Sequence, residues 1–297
     1  MPSPWQPEHA VDAALAARLV AAQFPAYAGL RPLHGGRGWD VDVWRFGDLA
    51  FRFPRRAVVA AALDRELRGL PVIAAHLPLS VPVPLHVGAP ALGYPSRFWG
   101  HRWLPGTTVL AAGLDDDARA ALAAPLGAWL RALHAIPVDA LRAAGVGADP
   151  RGDVARVAGR GRAWLDDLAL DAATRAGVAA VLDAPPPIDA APTVIHGDAH
   201  AGNLLVDGGA LAAVIDWIDL AVGDPAVDLA IGWSLPPRRA RADFLAAYGP
   251  VSAATWARAR VNAVARHGLA MIAAGTGTGD AGVAAHGRAV VARALVD

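Results

Sequence analysis

The residues best suited to chemistry lie in one segment, TVIHGDAHAGNLLVDGGALAAVIDW, residues 193–217. Asp198 is followed five residues later by Asn203 and thirteen residues after that by Asp216. Three oxygen-bearing side chains, without His or Cys ligands arranged for zinc, suit a hard cation such as Mg²⁺ that keeps waters and bridges phosphates. An aspartate free of the metal can accept a hydroxyl proton during attack on a phosphoryl group. The segment indicates phosphoryl transfer, with a turn-rich loop as the alternative.

A second candidate is the glycine-rich stretch LHGGRGWD, residues 33–40. Its three glycines, Gly35, Gly36 and Gly38, predict a turn between strands. Backbone amides in such a turn approach a phosphate closely because no side chain intervenes. A plain hairpin turn explains the same residues equally well.

The type of secondary structure that must position these residues changes along the chain. In the first third of the chain, runs that alternate between apolar and polar residues or are rich in aromatic residues predict strands. Apolar residues that recur every three to five positions predict helices. The proline-rich stretch 69–96 predicts loops and edge strands, since a membrane-spanning helix hardly tolerates its six prolines. The predicted elements here begin with a helix over 10–24 and a strand over 41–46, followed by a turn at 47–48 and a second strand that ends at 53. A helix over 58–70 that carries Glu66 and a strand that ends in a linker at 105–106 complete them.

The rest of the chain is predicted to be mainly helical. Its exception is a group of short apolar strands around the first segment, so a small strand-rich half precedes a larger helical half. A ligand between the halves would meet glycines on one side and Asp198, Asn203 and Asp216 on the other. The predicted helices cover 118–137, 154–182, 225–235 and 253–273, and the strands cover 194–196, 204–206 and 212–216.

Composition excludes several classes of protein. The 297 residues are 55% hydrophobic and contain no cysteine, so the chain is large enough for one core or two lobes and has neither disulfides nor thiolate sites. Zero net charge and the absence of a basic run argue against nucleic-acid binding. The start lacks the pattern of a signal peptide, so we expect a cytoplasmic enzyme that does not associate with membranes and is a monomer or a homodimer.

The motifs HGDAHAGN, IDW and GDPAVDLA together resemble the aminoglycoside phosphotransferase family. These antibiotic and metabolite kinases share the eukaryotic-like protein kinase fold, and the similarity extends from GGRGWD to RARVNA. FRFPRR and RWLPG resemble the macrolide phosphotransferase branch. The resemblance implies an α+β bilobal fold: an N-terminal lobe with an antiparallel sheet (1–101), a hinge (102–106) and a helical C-terminal lobe (107–297).

The resemblance also implies roles for individual residues. Asp198 would be the catalytic base, and Asn203 and Asp216 would hold Mg²⁺ against the phosphates of ATP or GTP. Catalysis of this kind is mostly positioning and charge neutralisation. The remaining nucleotide contacts would come from Gly36 and Gly38 over the phosphates and from the backbone of Arg102, Trp103 and Leu104 against the base.

One position departs from the family pattern. The family usually has a Lys where this chain has Arg52, and Glu66 follows fourteen residues later, where a helix Glu is expected as its partner. Arginine is always charged and offers a planar fork to phosphate and carboxylate, so it can serve, but with a different geometry. The alternative is that Arg52 faces solvent while Arg55 or Arg56 meets the phosphates.

Four further polar residues have plainer interpretations. His196 is expected to pack under the loop, and His134 is expected to be a core histidine on a helical face. Asp228 is expected to brace the catalytic loop. His200 has no assigned role, because substrate contact and solvent exposure are equally consistent with its place in the loop.

The charge distribution bears on the acceptor. From Leu229 to the end there are eight Arg and three Asp, an environment that disfavours a substrate with several ammonium groups. Five Asp between 149 and 171 leave room for a local acidic patch. We therefore expect a less cationic hydroxylated acceptor, such as a macrolide, over an ordinary aminoglycoside. A housekeeping metabolite kinase and a non-catalytic nucleotide-binding module remain alternatives.

Overall fold

A five-stranded antiparallel sheet forms the N-terminal part of the computed structural model, which describes residues 8–38, 40–149 and 152–296. Trp39 of the glycine-rich stretch lies outside the described residues. The strand order is β1-β2-β3-β5-β4, so β1 and β4 are the edges. The strands are β1 (Leu33–Arg37), β2 (Val41–Phe46), β3 (Leu49–Pro54), β4 (His86–Gly88) and β5 (Phe98–Arg102).

Strand β3 sorts its side chains between the two faces of this sheet. Phe51 and Phe53 are fully buried in an aromatic core with Phe98 and the apolar face of helix α1 (Ala13–Gln23). Because successive side chains in a strand point to opposite faces, Arg52 faces the other way. This alternation directs one guanidinium toward the second half of the chain.

Helix α2 (Ala57–Ala74) connects the sheet to the helical part. The prediction of a helix over 58–70 is confirmed, but the prediction of loops from residue 69 onward is wrong for the last turn. The helix continues through Pro71, because Leu70 and Ile73 are fully buried in the larger core and that packing outweighs the hydrogen bond lost at proline. Glu66 lies in the middle of α2.

The larger part is helical around two small sheets. One sheet has the order β6-β8-β9 and the other pairs β7 with β10. Its strands are β6 (Thr107–Thr108), β7 (Thr193–Ile195), β8 (Leu204–Asp207), β9 (Ala210–Val214) and β10 (Ala221–Gly223). Its helices are α3 (Val109–Ala112), α4 (Asp116–Ala121), α5 (Ala123–His134), α6 (Val138–Ala143), α7 (Val154–Asp167), α8 (Ala172–Leu182), α9 (Ala226–Leu229), α10 (Ile231–Ser234), α11 (Arg241–Tyr248), α12 (Ala253–Asn262), α13 (Ala270–Thr278) and α14 (Ala281–Leu295).

The predicted α+β architecture, with an antiparallel sheet followed by a mainly helical part, is confirmed. A π-helical segment, Ala263–Leu269, joins α12 to α13 where one continuous helix was predicted. Two short 3₁₀ turns, Pro25–Tyr27 and Arg238–Ala240, complete the described elements. Among the described residues, no helix has both the length and the apolar character to cross a membrane.

Two strand predictions need correction. Residues 212–216 were expected to be one strand, but β9 ends at Val214 and Asp216 has a left-handed backbone, with φ of 64°. The three glycines were expected to form a turn, but β1 runs through Gly35 and Gly36, with an irregularity in register between His34 and Gly36. Gly36 has φ of 145°, a conformation that favours glycine, so the sequence is glycine-rich here for backbone reasons.

Close packing of α5 on α11 leads to a stability prediction. A Cβ at Gly127 would collide with the carbonyl oxygen of Phe244, whereas a Cβ at Gly159 on α7 would meet nothing within 4 Å. Gly127→Ala should destabilise the protein by about 2 kcal/mol, because overpacking outweighs the gain in helix propensity. Gly159→Ala should be neutral or stabilising by less than about 1 kcal/mol. Urea unfolding tests this, and equal midpoints for the two variants would contradict the packing.

Candidate active site

A buried carboxylate shapes the loop between β7 and β8. Asp228 on α9 accepts hydrogen bonds from the backbone N–H groups of His196 (2.7 Å) and Gly197 (2.9 Å). The side chain of His134 lies 3.3 Å from the same carboxylate. Burial raises the pKa of Asp228, but His134 and the donors of the loop lower it by more. The predicted brace is confirmed, and it fixes the residue that follows Gly197.

Both predicted structural histidines are accounted for. The ring of His196 is fully buried, packs 4.4 Å from the ring of Trp217 and contacts the Ile215 carbonyl through Nε2 at 3.0 Å. His134 lies between Asp228 and the hydroxyl of Tyr248, 2.8 Å from its Nδ1. His196 therefore links the loop to the chain just before Asp216.

Asp198 lies at the open side of this loop, with 36% of its side chain exposed. Asn203 Nδ2 donates to its backbone carbonyl at 3.0 Å, His200 Nε2 lies 3.4 Å from its Oδ2, and Arg266 Nη2 lies 3.9 Å from its Oδ1. Burial raises the pKa of Asp198, but the charges of His200 and Arg266 lower it by more. The carboxylate is therefore ionised at neutral pH and accessible to a small molecule.

Arg52 joins the sheet to the helical part. Its Nη2 lies 2.9 Å from Asp216 Oδ1 and 3.6 Å from Glu66 Oε1, and its guanidinium carbon is 5.4 Å from the centre of the Trp99 ring. Burial lowers the pKa of Arg52, but the two carboxylates raise it by more. Burial also raises the pKa of Glu66, to about 7, although Arg52 opposes that shift. The predicted pairing of Arg52 with Glu66 is present.

The alternative assignment, in which Arg52 faces solvent, does not fit this geometry. Arg52 is buried, whereas Arg55 donates to the Gly38 carbonyl at 2.9 Å and lies 3.6 Å from Asp42. Arg56 pairs with Asp40. Arg55 and Arg56 therefore hold the turn that closes the glycine-rich hairpin.

A cavity of about 430 Å³ lies between the sheet and the loop that joins β7 to β8. Seven of the ten predicted site residues line it: Gly36, Gly38, Arg52, Trp103, Leu104, Asn203 and Asp216. Glu66 contacts the cavity only through Arg52, and Asp198 lies beside it next to Asn203. Arg102 instead faces away, with an exposed side chain 3.3 Å from Asp48, and lines a neighbouring groove.

Sequence reasoning missed His101 and several apolar wall residues of this cavity. Val41, Val43 and Ala50 share the face of Arg52 through strand alternation and register, a signal that was present in the sequence. His101 has no such signal. Burial and then the charge of Arg52 lower its pKa to about 3, so the ring is neutral. Its Nδ1 lies 2.7 Å from the Arg102 carbonyl and must donate to it, which leaves Nε2 as an acceptor.

The oxygen donors fit a hard divalent cation bound together with phosphates. Asn203 uses its Nδ2 on the Asp198 backbone, which leaves its oxygen for a cation, and Asp216 has a second carboxylate oxygen beyond the one that contacts Arg52. Both side chains line the same cavity. Mg²⁺ commonly takes one or two protein ligands and completes its shell with water and phosphate. Among the described residues no cluster of three or more His, Cys, Asp or Glu side chains forms a metal site.

The chain is similar to a known protein family in sequence and to solved structures in fold. The model of the phosphotransferase enzyme family matches residues 29–261. Comparison with curated protein sequences gives no significant match. The chain is similar to the GDP complex of wild-type aminoglycoside 2′-phosphotransferase-IIIa, with 20% identity and a TM-score of 0.75 over 96% of this chain and 99% of that chain.

Two further solved structures extend the comparison. The GDP and kanamycin complex of an APH(2″) enzyme has 22% identity and a TM-score of 0.74, over 94% of this chain and 97% of that one. The macrolide 2′-phosphotransferase from Brachybacterium faecium, as apoenzyme, has 25% identity and a TM-score of 0.62, over 94% and 97% of the two chains. The aminoglycoside phosphotransferase structures establish a shared fold along nearly the whole chain.

The Asp228 brace leads to a second stability prediction. Asp228→Ala removes the acceptor of two buried N–H groups and the partner of His134, so the protein should lose about 3 kcal/mol of unfolding free energy. Asp243→Ala, at an exposed aspartate on α11, should change it by less than about 0.5 kcal/mol. Chemical denaturation measures both. An Asp228→Ala protein as stable as the Asp243→Ala control would show that the brace is dispensable.

Proposed function

The chain belongs to the phosphotransferase enzyme family, and we propose that it transfers the γ-phosphate of ATP or GTP to a hydroxyl group of an antibiotic-like natural product. The observation that carries this proposal is the position of Asp198 beside a cavity that Arg52, Asn203, Asp216 and the glycine-rich strand line together. Phosphoryl transfer needs little covalent chemistry from the protein, so positioning and charge neutralisation are the main requirements.

We assign residues 1–101 to a nucleotide-binding lobe, 102–106 to a hinge and 107–297 to a lobe with the catalytic loop and the acceptor site. Separate hydrophobic cores in the sheet and in the helical part support this division, although the second half of α2 packs on the larger core. The hinge backbone would meet the base of the nucleotide. Trp103 N–H already donates to the Asp48 carbonyl at 2.7 Å, so the base would use the other backbone groups of Arg102, Trp103 and Leu104.

The phosphates would lie under Gly36 and Gly38 and against Arg52. The buried Nε of Arg52 has no hydrogen-bond partner among the described residues, so the fork retains donor capacity beyond its two carboxylates. Glu66 would hold the guanidinium in place. Mg²⁺, bound by Asn203 and Asp216, would neutralise phosphate charge when present.

Asp198 would orient the acceptor hydroxyl and take its proton. The acceptor oxygen forms a bond to the γ-phosphorus, the bond to the nucleoside diphosphate breaks, and the hydroxyl proton passes to the Asp198 carboxylate. The lowered pKa of Asp198, in which His200 and Arg266 outweigh burial, keeps the carboxylate ready to accept a hydrogen bond. Such a residue acts mainly by positioning until the transfer is under way.

The acceptor class follows from charge. Kanamycin is bound in one similar structure and macrolides are the substrates named for another. The chain from Leu229 onward has an excess of five positive charges, which disfavours a polycationic aminoglycoside. A macrolide-type or other weakly charged natural product therefore fits better. A metabolite of the same chemical character would use the same chemistry.

Removing the proposed base should abolish turnover without loss of nucleotide binding. Asp198→Asn should lower kcat by about 10²- to 10⁴-fold, because the amide cannot accept the proton, and should leave the nucleotide Kd unchanged. Asp139→Asn, at a 90% exposed carboxylate, is the matched control. Steady-state kinetics and nucleotide titration report the two quantities. Turnover at the wild-type level in Asp198→Asn would remove the residue from this role.

Substitution of Arg52, which is proposed to bind the phosphates, should give a different kinetic pattern. Arg52→Ala should raise the nucleotide KM and lower kcat by about 10²-fold, because it removes a donor to developing charge and leaves Glu66 unpaired. Arg52→Lys should retain partial activity, since the charge stays but the fork is lost. Arg142→Ala, at an exposed arginine, serves as control. Wild-type kinetics for Arg52→Ala would mean that the fork does not bind the nucleotide.

A further inference from the structure

The far side of Asp198 carries basic groups that the proposed phosphate transfer does not use. His200, Arg266 and His267 do not line the nucleotide cavity. Arg266 and His267 both belong to the π-helical segment Ala263–Leu269, and π-helical turns occur often at functional sites. An acceptor whose hydroxyl reached Asp198 from outside the nucleotide cavity would meet His200 and Arg266, whereas His267 is buried.

A chain of contacts leads from Asp198 to Arg293 on helix α14. The ring of His200 lies 6.0 Å from the ring of His267, whose Nδ1 is 2.9 Å from the hydroxyl of Ser234. The carbonyl of Ser234 accepts a hydrogen bond from Arg293 Nε at 3.0 Å. Arg293 is therefore held one residue away from the histidine that faces the catalytic loop.

Arg293 is half-buried. Among the described residues, no carboxylate lies within 4.0 Å of its guanidinium. Arg119, in contrast, pairs with Asp116 at 2.6 Å. Burial and then the charge of Arg119 lower the pKa of Arg293 to about 10, although the charge of Asp116 opposes that shift. The guanidinium stays charged at neutral pH. Its Nε is committed to Ser234, and its two terminal nitrogens are left for an anion.

Two further groups bear on the charge of this side. Burial and then the charges of Arg293 and His200 lower the pKa of His286 to about 4, so His286 is neutral and adds no positive charge there. Arg266 Nη1 is buried and has no hydrogen-bond partner among the described residues, although Nη2 of the same side chain bonds the Gly197 carbonyl. A buried donor without an acceptor is costly, and an oxygen atom of an acceptor bound next to Asp198 would satisfy it.

We propose that the acceptor carries an oxyanion, either a carboxylate or a phosphate, which Arg293 binds while the acceptor hydroxyl lies against Asp198. The proposal rests on the proposed phosphotransferase function. Within the weakly charged acceptors of that function it favours hydroxylated compounds with an acidic group over macrolides, which have none. A guanidinium fork matches either oxyanion in bidentate geometry. The same site rejects acceptors with several ammonium groups.

Four probes with one sugar skeleton separate charge from shape: glucuronate, glucose 6-phosphate, glucose and glucosamine. Ligand-observed NMR titration of the nucleotide-bound protein should give dissociation constants for the two anions at least about tenfold below that of glucose, with glucosamine weakest. The carboxylate and phosphate members show which oxyanion is preferred. Equal affinities, absence of binding by both anions, or a preference for glucosamine would overturn the proposal.

Variants of two arginines on helix α14 test whether Arg293 causes the preference for anionic probes. Arg293→Gln should remove the preference for the anions and leave glucose binding unchanged, and Arg293→Lys should restore part of it. Arg288→Gln, at an exposed arginine on the same helix, should keep the full preference. Thermal unfolding confirms that each variant is folded. An Arg293→Gln protein that is folded and still prefers the anions would show that Arg293 does not bind them.

Measurement of turnover distinguishes a failure of the proposed phosphotransferase function from a failure of the proposed anion site at Arg293. If the anion preference depends on Arg293 but no hydroxylated compound is phosphorylated, the proposed function fails and the anion site stands. If a macrolide is phosphorylated in an Asp198-dependent reaction and Arg293→Gln alters no acceptor affinity, the function stands and the anion site is wrong.

Discussion

The contact of Arg52 with Asp216 and Glu66 is the interaction on which the site depends. It joins β3 and helix α2, which are consecutive in the chain, to the turn after β9, which lies about 150 residues further on. A buried guanidinium is tolerated only where carboxylates offset its desolvation, and two do so here. Arg52 and Asp216 also line the cavity of the proposed nucleotide site, so this contact forms part of its wall.

A second buried carboxylate controls the opposite side of the site. Asp228 fixes the backbone of His196 and Gly197, so Asp198 emerges in one position relative to Asn203. The two sides of Asp198 then differ in character. Gly36, Gly38, Arg52, Asn203 and Asp216 line the cavity, whereas Arg266 and the more distant Arg293 do not line it and lie on the proposed acceptor side.

Local sequence was sufficient for the parts of the site that a short motif encodes. The spacing of Asp198 and Asn203 follows from one loop, whereas the pairing of Arg52 with Glu66 was implied by the resemblance to the family. The left-handed backbone of Asp216 was not visible, because an apolar run before it resembles a continuous strand. Helix α2 passes through Pro71 because tertiary packing outweighs a local preference.

The acceptor side was beyond sequence reasoning for a different reason. Ser234 and His267 connect Arg293 to the loop of Asp198, and these three residues come from α14, α10 and the π-helical segment. No spacing rule joins elements that meet only in the folded chain. The charge excess after Leu229 indicated a basic environment, and the structure shows that Arg293 among these arginines is held by the Ser234 carbonyl.

The most direct test of the account is ³¹P NMR of the wild-type protein with Mg²⁺, ATP or GTP, and a panel of hydroxylated acceptors of different charge. The account predicts that the γ-phosphate signal is replaced by a phosphate monoester on one acceptor hydroxyl, with one nucleoside diphosphate formed for each ester. Release of inorganic phosphate alone, or a nucleotide spectrum unchanged by every acceptor, would contradict it.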